Sequence, residues 1–504
     1  MTLLTENFAQ YIPRERKSVI LLIFGLIVIA AIGYIASLKP FLALAIVGGL
    51  LLAIAMFTRP NASTLIVLFI LYTNAAVIAV RFHGLPYLVG VAFPILLLSP
   101  LGYYLIFRRQ KIIIDQVMVL LILFLGAQAV SALFASSPSV VSQSLMNFII
   151  EGVLFYFLIL NTVRSLAILR QAIWIILIAG TLIASLSIYQ QITQSFDNNF
   201  YGFAQVSNAA FGTGVELLAG EVYQPRLAGT LGDQNYYAQV LLMLIPLGLF
   251  RVWGERSKLM RLLAIICTAL ISLGVGLTFS RGAAVGFLLM LVIMTLLRYI
   301  KLYQLLVIFL GLFLLLRALP QYSTRLITLQ TVINAVSGKE GSGILAADSS
   351  TESRVTEMGA AALAFADHPL IGVGPGMFKY YYPQYAEAVG IRAQTTTRAA
   401  HNQFLDIAAD TGIFGLASFL AILFVSLRNL ARTRRRWLHT RPDLANLATG
   451  FILAIVTYLT TGIFLSLAYE RFFWVMLALA GSTSYLAGIS SQADPDPALE
   501  LRRV

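Results

Sequence analysis

Charge is what this sequence has least of. Only 11% of its 504 residues are Asp, Glu, Lys or Arg, while 59% are hydrophobic and the mean hydropathy is +0.85. A soluble globular domain carries roughly a quarter charged residues, so this deficit excludes a soluble fold for most of the chain. Cysteine is almost missing too: the single Cys267 lies in an apolar run, which leaves no disulfide framework and no thiolate metal site. The outer polar segments hold no Asp-x-Asp and no His/Cys/Asp/Glu cluster at metal-ligand spacing. They also lack a Gly-x-Ser-x-Gly elbow, a Ser-His-Asp order and a phosphate loop, which argues against serine-type and nucleotide-driven chemistry. Net charge is the exception, at +13. The basic residues sit in short loops between apolar runs, where they signal membrane orientation rather than nucleic-acid binding.

What is present in abundance is apolar sequence. A helix needs about 20 apolar residues to cross a bilayer. The pattern predicts an all-α polytopic membrane protein with about 14 (12–14) transmembrane helices, near 19–37, 41–58, 64–80, 85–107, 112–134, 143–160, 166–187, 236–251, 260–278, 282–298, 301–317, 412–430, 446–465 and 471–489. No cleavable signal peptide is expected, because the first run follows Arg14, Arg16 and Lys17 without a small-residue cleavage site. With the N-terminus inside, 23 of the 35 Lys and Arg fall on inner segments, which predicts cytoplasmic N- and C-termini. The expected organisation is N-terminal spans in 1–187, a first outer segment at 188–235, central spans in 236–317, a large outer loop at 318–402, C-terminal spans in 403–489 and a cytoplasmic tail from 490 to 504.

The large loop contains a flexible part, Ser337 to Gly343, then a helix whose Val355, Met358, Ala362 and Phe365 form an apolar stripe. Asp367 to Gly376, rich in Gly and Pro, ends that helix. An aromatic patch follows at Lys379-Tyr-Tyr-Tyr-Pro-Gln-Tyr385, in which Tyr381 and Tyr382 are candidate substrate contacts.

The candidate chemistry lies at the outer membrane edge. His401 stands at the mouth of an apolar helix beside Arg398 and Asn402, both candidate substrate contacts, where a histidine can accept and return a proton near neutral pH. His83 and His368 also face outward but occupy a very short loop and a helix-ending turn. Arg226 precedes a span, and Arg281 lies in the tight turn Thr278-Phe-Ser-Arg-Gly282. An arginine at the bilayer boundary needs a partner or a water-filled cavity, and its planar fork suits a phosphate; snorkelling to the interface is the other reading. Asp233 and Asn235 either orient Arg226 or cap the helix that starts near 236. Together His401, Arg226 and Arg281 point to an anionic lipid-linked substrate. Glu151, mid-span, is either a proton or ion relay or the partner of an arginine or hydroxyl.

His401-Asn402, nine residues, then Gly412-Ile-Phe-Gly415 resembles the signature of the O-antigen ligase superfamily, which includes lipopolysaccharide O-antigen ligases, O-antigen and exopolysaccharide polymerases and protein O-oligosaccharyltransferases. Thr278-Phe-Ser-Arg-Gly282 and Gly372-Val-Gly-Pro-Gly376 are similar to further segments of that superfamily, and the resemblance covers roughly 220–425. It implies a fold like the GT-C-type membrane glycosyltransferases and a location in the bacterial inner membrane. It implies a glycan donor linked to undecaprenyl diphosphate, held by Arg226 and Arg281, and a glycan, lipid A–core or protein acceptor hydroxyl that His401 deprotonates or positions. Transfer would be inverting and without metal or other cofactor. Expected partners are these two substrates and membrane lipids, not nucleic acid. Fourteen spans exceed the twelve or so usual for the ligases, a departure that two extra N-terminal spans would explain. A bicarbonate or other small-solute transporter working through Glu151, and a scaffold subunit of a polysaccharide export assembly, are the alternatives from other classes.

Overall fold

The computed structural model describes residues 58–87, 90, 93–217, 220–318, 349–389, 395–466 and 471–493. The expected spans at 19–37 and 41–58 (all but its last residue), the Ser337 to Gly343 stretch and the tail beyond 493 lie outside the described residues. The described residues begin with α1 (Pro60–Tyr72), α2 (Ala75–His83), the short α3 (Leu98–Gly102), α4 (Gln116–Ala132), α5 (Pro138–Asn147), α6 (Phe155–Thr162) and α7 (Leu166–Thr193). A hairpin of β1 (Gln205–Leu217) and β2 (Gly220–Gly229) follows. Next come α8 (Gln234–Leu242), α9 (Leu244–Gly254), α10 (Lys258–Gly276), α11 (Arg281–Leu296) and α12 (Leu302–Ala318). Then follow α13 (Ser349–Asp367), α14 (Phe378–Val389), α15 (Gln403–Trp437), α16 (Pro442–Gly462) and α17 (Arg471–Ala493).

Every expected span within the described residues falls on helix, but fewer of these helices are long enough to cross a bilayer than expected. Seven are long and apolar enough, or eight if α1 and α2 form one span bent by 53° at Thr73–Asn74. Fourteen spans are therefore not what the described residues show. Caps and kinks explain the shortfall. α4 starts where Asp115 accepts the Met118 amide and ends after 17 residues, about 26 Å at 1.5 Å per residue, short of a core of about 30 Å. The run at 85–107 is split into 3₁₀, α and π pieces, and Asn74, with φ 59°, breaks the run at 64–80. The chain is a polytopic, helical membrane protein, and among the described residues one feature departs from all-α, the antiparallel β1–β2 hairpin inside the first polar segment. Strand structure there was not expected.

Two apolar clusters organise the molecule. The larger runs through the helical bundle, centred on buried rings such as Phe124, Phe148, Phe419 and Trp474. The smaller is built from α13, α14, Val141 of α5 and Ala409 of α15. It seats the polar module on the end of the bundle where α15 begins.

The α13 stripe is phased differently from the expectation. Ala362 is exposed, and the face turned inward is Ser353, Thr356, Glu357, Ala360, Ala361 and Ala364. Alanines let α13 approach its neighbours closely, so small residues, not the large apolar ones, define the packed face.

Candidate functional site

The site is built at the end of the bundle where α10 stops, α11 starts, α16 ends and α15 begins. The α10–α11 turn carries Arg281 at the first position of α11. Phe279, two residues earlier, takes a left-handed backbone (φ 51°), and Ser280 caps the helix by accepting the Ala283 amide. An aromatic residue in that region costs about 1–3 kcal/mol and persists only where its surroundings hold it.

Arg226 supplies the hold. It is 6% exposed, donates from Nε to the Thr278 carbonyl at 2.9 Å and from Nη2 to the Phe279 carbonyl at 3.4 Å. The same Nη2 donates to Asn235 Oδ1 at 3.1 Å. Asp233 caps α8 instead, accepting the amides of Asn235 and Tyr236 at 2.8 Å each. The two readings of the acid–amide pair are thus divided between them: Asn235 orients Arg226, and Asp233 closes the helix end.

His401 lies on the other side of the α16 exit. Its own backbone is left-handed (φ 47°), a region where histidine is enriched among non-glycine residues. Asn402 caps α15, its Oδ1 accepting the amides of Phe404 and Leu405 at 3.0 and 3.1 Å. The imidazole Nδ1 lies 2.8 Å from Glu357 Oε2 and 3.3 Å from the Ala399 carbonyl. Arg398, the expected substrate contact, places Nη1 3.2 Å from Glu357 Oε1. The Glu357 side chain is 1% exposed.

One short stretch of chain joins the two halves. At Gly462 a β carbon would sit 2.3 Å from Gln403 Oε1, and at Gly282 one would sit 3.4 Å from Phe464. The exit of α16 therefore packs against the residue after Arg281 and against the second residue after His401. Sequence positions more than a hundred residues apart meet around a single turn.

The remaining candidates are placed differently. Tyr382 is fully buried in the smaller cluster, edge-on to Phe378, so a substrate would reach it only if its neighbours moved. Tyr381 donates its hydroxyl to Ser136 Oγ at 3.1 Å. His83 Nε2 lies 3.2 Å from the Tyr201 carbonyl. Glu151 pairs with Arg471 at 3.1 Å, within a π-helical turn, and the same arginine bonds Asn74. These two residues border a cavity of about 140 Å³ between α2 and the π-turn. Among the described residues, no group of three or more His, Cys, Asp or Glu is arranged to hold a metal ion.

Sequence reasoning missed Glu357. The apolar stripe of α13 was phased on its larger residues, which left Glu357 on the presumed wet face. The spacing of Ser353, Glu357, Ala360, Ala361 and Ala364 is the signal that places the carboxylate inward.

Fold and site together define a polytopic membrane protein with a polar module over one end of its helical bundle. Residues 263–420 match the family model described as O-antigen ligase, a likeness of this segment that supports the O-antigen ligase-related superfamily. The match takes in Arg281, Glu357, Arg398, His401 and the glycines at 412 and 415, and stops short of Arg226. Comparison with curated proteins gives no match.

Proposed function

We propose that this protein transfers a glycan from an undecaprenyl-diphosphate carrier to an acceptor hydroxyl at the outer face of the bacterial inner membrane, by inversion and without metal. The observation that carries the reading is the gathering of Arg281, Arg226 and His401 around the exit of α16. Arg281 offers a planar, permanently charged fork to the diphosphate. Arg226 fixes the turn that aims Arg281 and adds positive charge to the same corner. The acceptor oxygen attacks the anomeric carbon as the bond to the diphosphate oxygen breaks. The proton of the hydroxyl passes to His401, and the arginines stabilise the charge that develops on the leaving diphosphate. The family match supports this class of reaction.

The direct test is transfer by the purified protein in a lipid bilayer from an undecaprenyl-diphosphate-linked oligosaccharide. Arg281→Lys keeps the charge and loses the fork, and transfer is expected to fall sharply with insertion and folding unchanged. Parental activity in that variant would remove Arg281 from the reaction. Gel analysis of surface glycans after loss of the gene identifies the acceptor. Unligated chains mean ligation, and single repeats mean polymerisation.

A further inference from the structure

We infer that Glu357 is the positioning residue of His401: its carboxylate holds the imidazole with the proton on Nδ1, leaving the lone pair on Nε2 to receive the acceptor's proton. The inference rests on the assignment of His401 as the base. Nδ1 lies 2.8 Å from Glu357 Oε2, an ion-pair contact, and 3.3 Å from the Ala399 carbonyl, which accepts its hydrogen bond. A carbonyl oxygen and an ionised carboxylate only accept hydrogen bonds, and a neutral imidazole has one N–H. That N–H therefore belongs on Nδ1, and the second nitrogen is left as the base.

Three further observations make Glu357 a device rather than a chance neighbour. Its side chain is 1% exposed, and a buried carboxylate persists only beside compensating charge. Arg398 supplies the pairing at Oε1, which leaves Oε2 for the histidine. The backbone of α13 is seated by Ala360, Ala361 and Ala364 in the smaller apolar cluster, which fixes the helix that carries the carboxylate. When the acceptor O–H bond breaks and its proton moves to Nε2, Nδ1 keeps its own proton. The imidazolium so formed lies against the negative charge of Glu357. This is the orienting and charge-stabilising part that the third member of a catalytic triad plays.

The ring tautomer is measurable without any substrate. The chain has four histidines, so ¹⁵N-histidine labelling in bilayers gives few ring signals, and a His401→Ala sample assigns the one of interest. The expected spectrum shows neutral His401 protonated on Nδ1. Glu357→Ala should weaken the Nδ1 preference, which the Ala399 carbonyl alone then supports, and lower kcat about 10- to 100-fold, with KM for the donor within about twofold. Glu357→Gln keeps an oxygen for Nδ1 but loses the charge, so the tautomer should persist while kcat still falls. A signal from Nε2-protonated His401 in the parent, or an unchanged tautomer and kcat in folded Glu357→Ala, overturns the inference. If the tautomer behaves as expected and His401→Ala still transfers glycan, the base assignment falls while the hold of Glu357 on the ring stands.

Discussion

Gly372 and Gly412 allow two backbones to cross in direct contact. A β carbon on Gly372 would lie 2.3 Å from the Asp410 carbonyl carbon, and one on Gly412 would lie 2.3 Å from that of Leu370. Gly412 adopts φ 63° and breaks α15, and the loop uses the groups that the break releases. Val373 and Gly374 donate to the carbonyls of Ala409 and Asp410 at 2.9 Å, and Ile413 donates to Pro369 at 2.8 Å. The Asp410 carboxylate accepts the amides of Gly376 and Phe378 at 2.7 and 2.9 Å. The polar module is thus fastened to α15 between Ala409 and Ile413, in the same helix that follows His401.

Gly412→Ala is expected to destabilise the protein by about 1–3 kcal/mol, from the clash and the left-handed backbone together. Thermal unfolding in detergent should show a lower midpoint. Transfer should fall with it, because the crossing sets where α13 meets the His401 segment. A variant with parental stability would mean that the crossing relaxes at no cost.

Arg226 and Arg281 are predicted to fail in different ways. Arg226→Ala removes the donors that satisfy the Thr278 and Phe279 carbonyls, and each carbonyl left unpaired in a buried site costs about 1–3 kcal/mol. Stability and transfer should both drop. Arg281→Ala should abolish transfer and leave the unfolding midpoint within a few degrees of the parent. Measuring both quantities on both variants separates the brace from the fork, and equal behaviour would collapse that distinction.

Much of this arrangement was legible in the sequence, and the losses have physical causes. The apolar runs located the bundle helices among the described residues, because the backbone in lipid has little choice of structure, whereas α14 lies on a stretch read only as an aromatic patch. They overstated the spans, because hydropathy does not register a cap such as Asp115 or a left-handed break such as Asn74. His401 and Arg281 were legible as outliers of charge at membrane-edge positions. Glu357 was not, because its significance depends on which face of α13 is packed, and alanines decided that face. The hairpin was hidden for another reason. Val206 pairs with Leu227 and Ser207 with Arg226 only across a chain reversal, and the register then shifts by bulges that no local pattern announces.

The Glu151–Arg471 pair gives a prediction against the transporter reading. The side chains are 30% and 12% exposed and meet at 3.1 Å. Glu151→Gln leaves the arginine without its carboxylate, so a loss of about 1 kcal/mol is expected after discounting for the exposure of the acid. The double variant Glu151→Gln/Arg471→Gln should be less destabilised than the sum of its parts. Glycan transfer per folded molecule should be unchanged in Glu151→Gln. Solute uptake that is lost in Glu151→Gln and kept in His401→Ala would reverse the assignment.

His401 itself offers the sharpest separation of stability from activity. Its backbone sits at φ 47°, where glycine is unstrained and other residues are not. His401→Gly relieves that strain, worth about 1–3 kcal/mol, and gives up the contact with Glu357, whose charge is still met by Arg398. The two effects oppose each other, so the unfolding midpoint should stay close to the parent's. Transfer should nevertheless be lost, since no other described side chain at the α16 exit combines a neutral nitrogen base with this position. His401→Ala keeps the strain as well as losing the contact, and should be the less stable of the two. If His401→Gly proved much less stable than His401→Ala, the left-handed backbone would not be the source of strain. If it retained transfer, the proton would be leaving by another route.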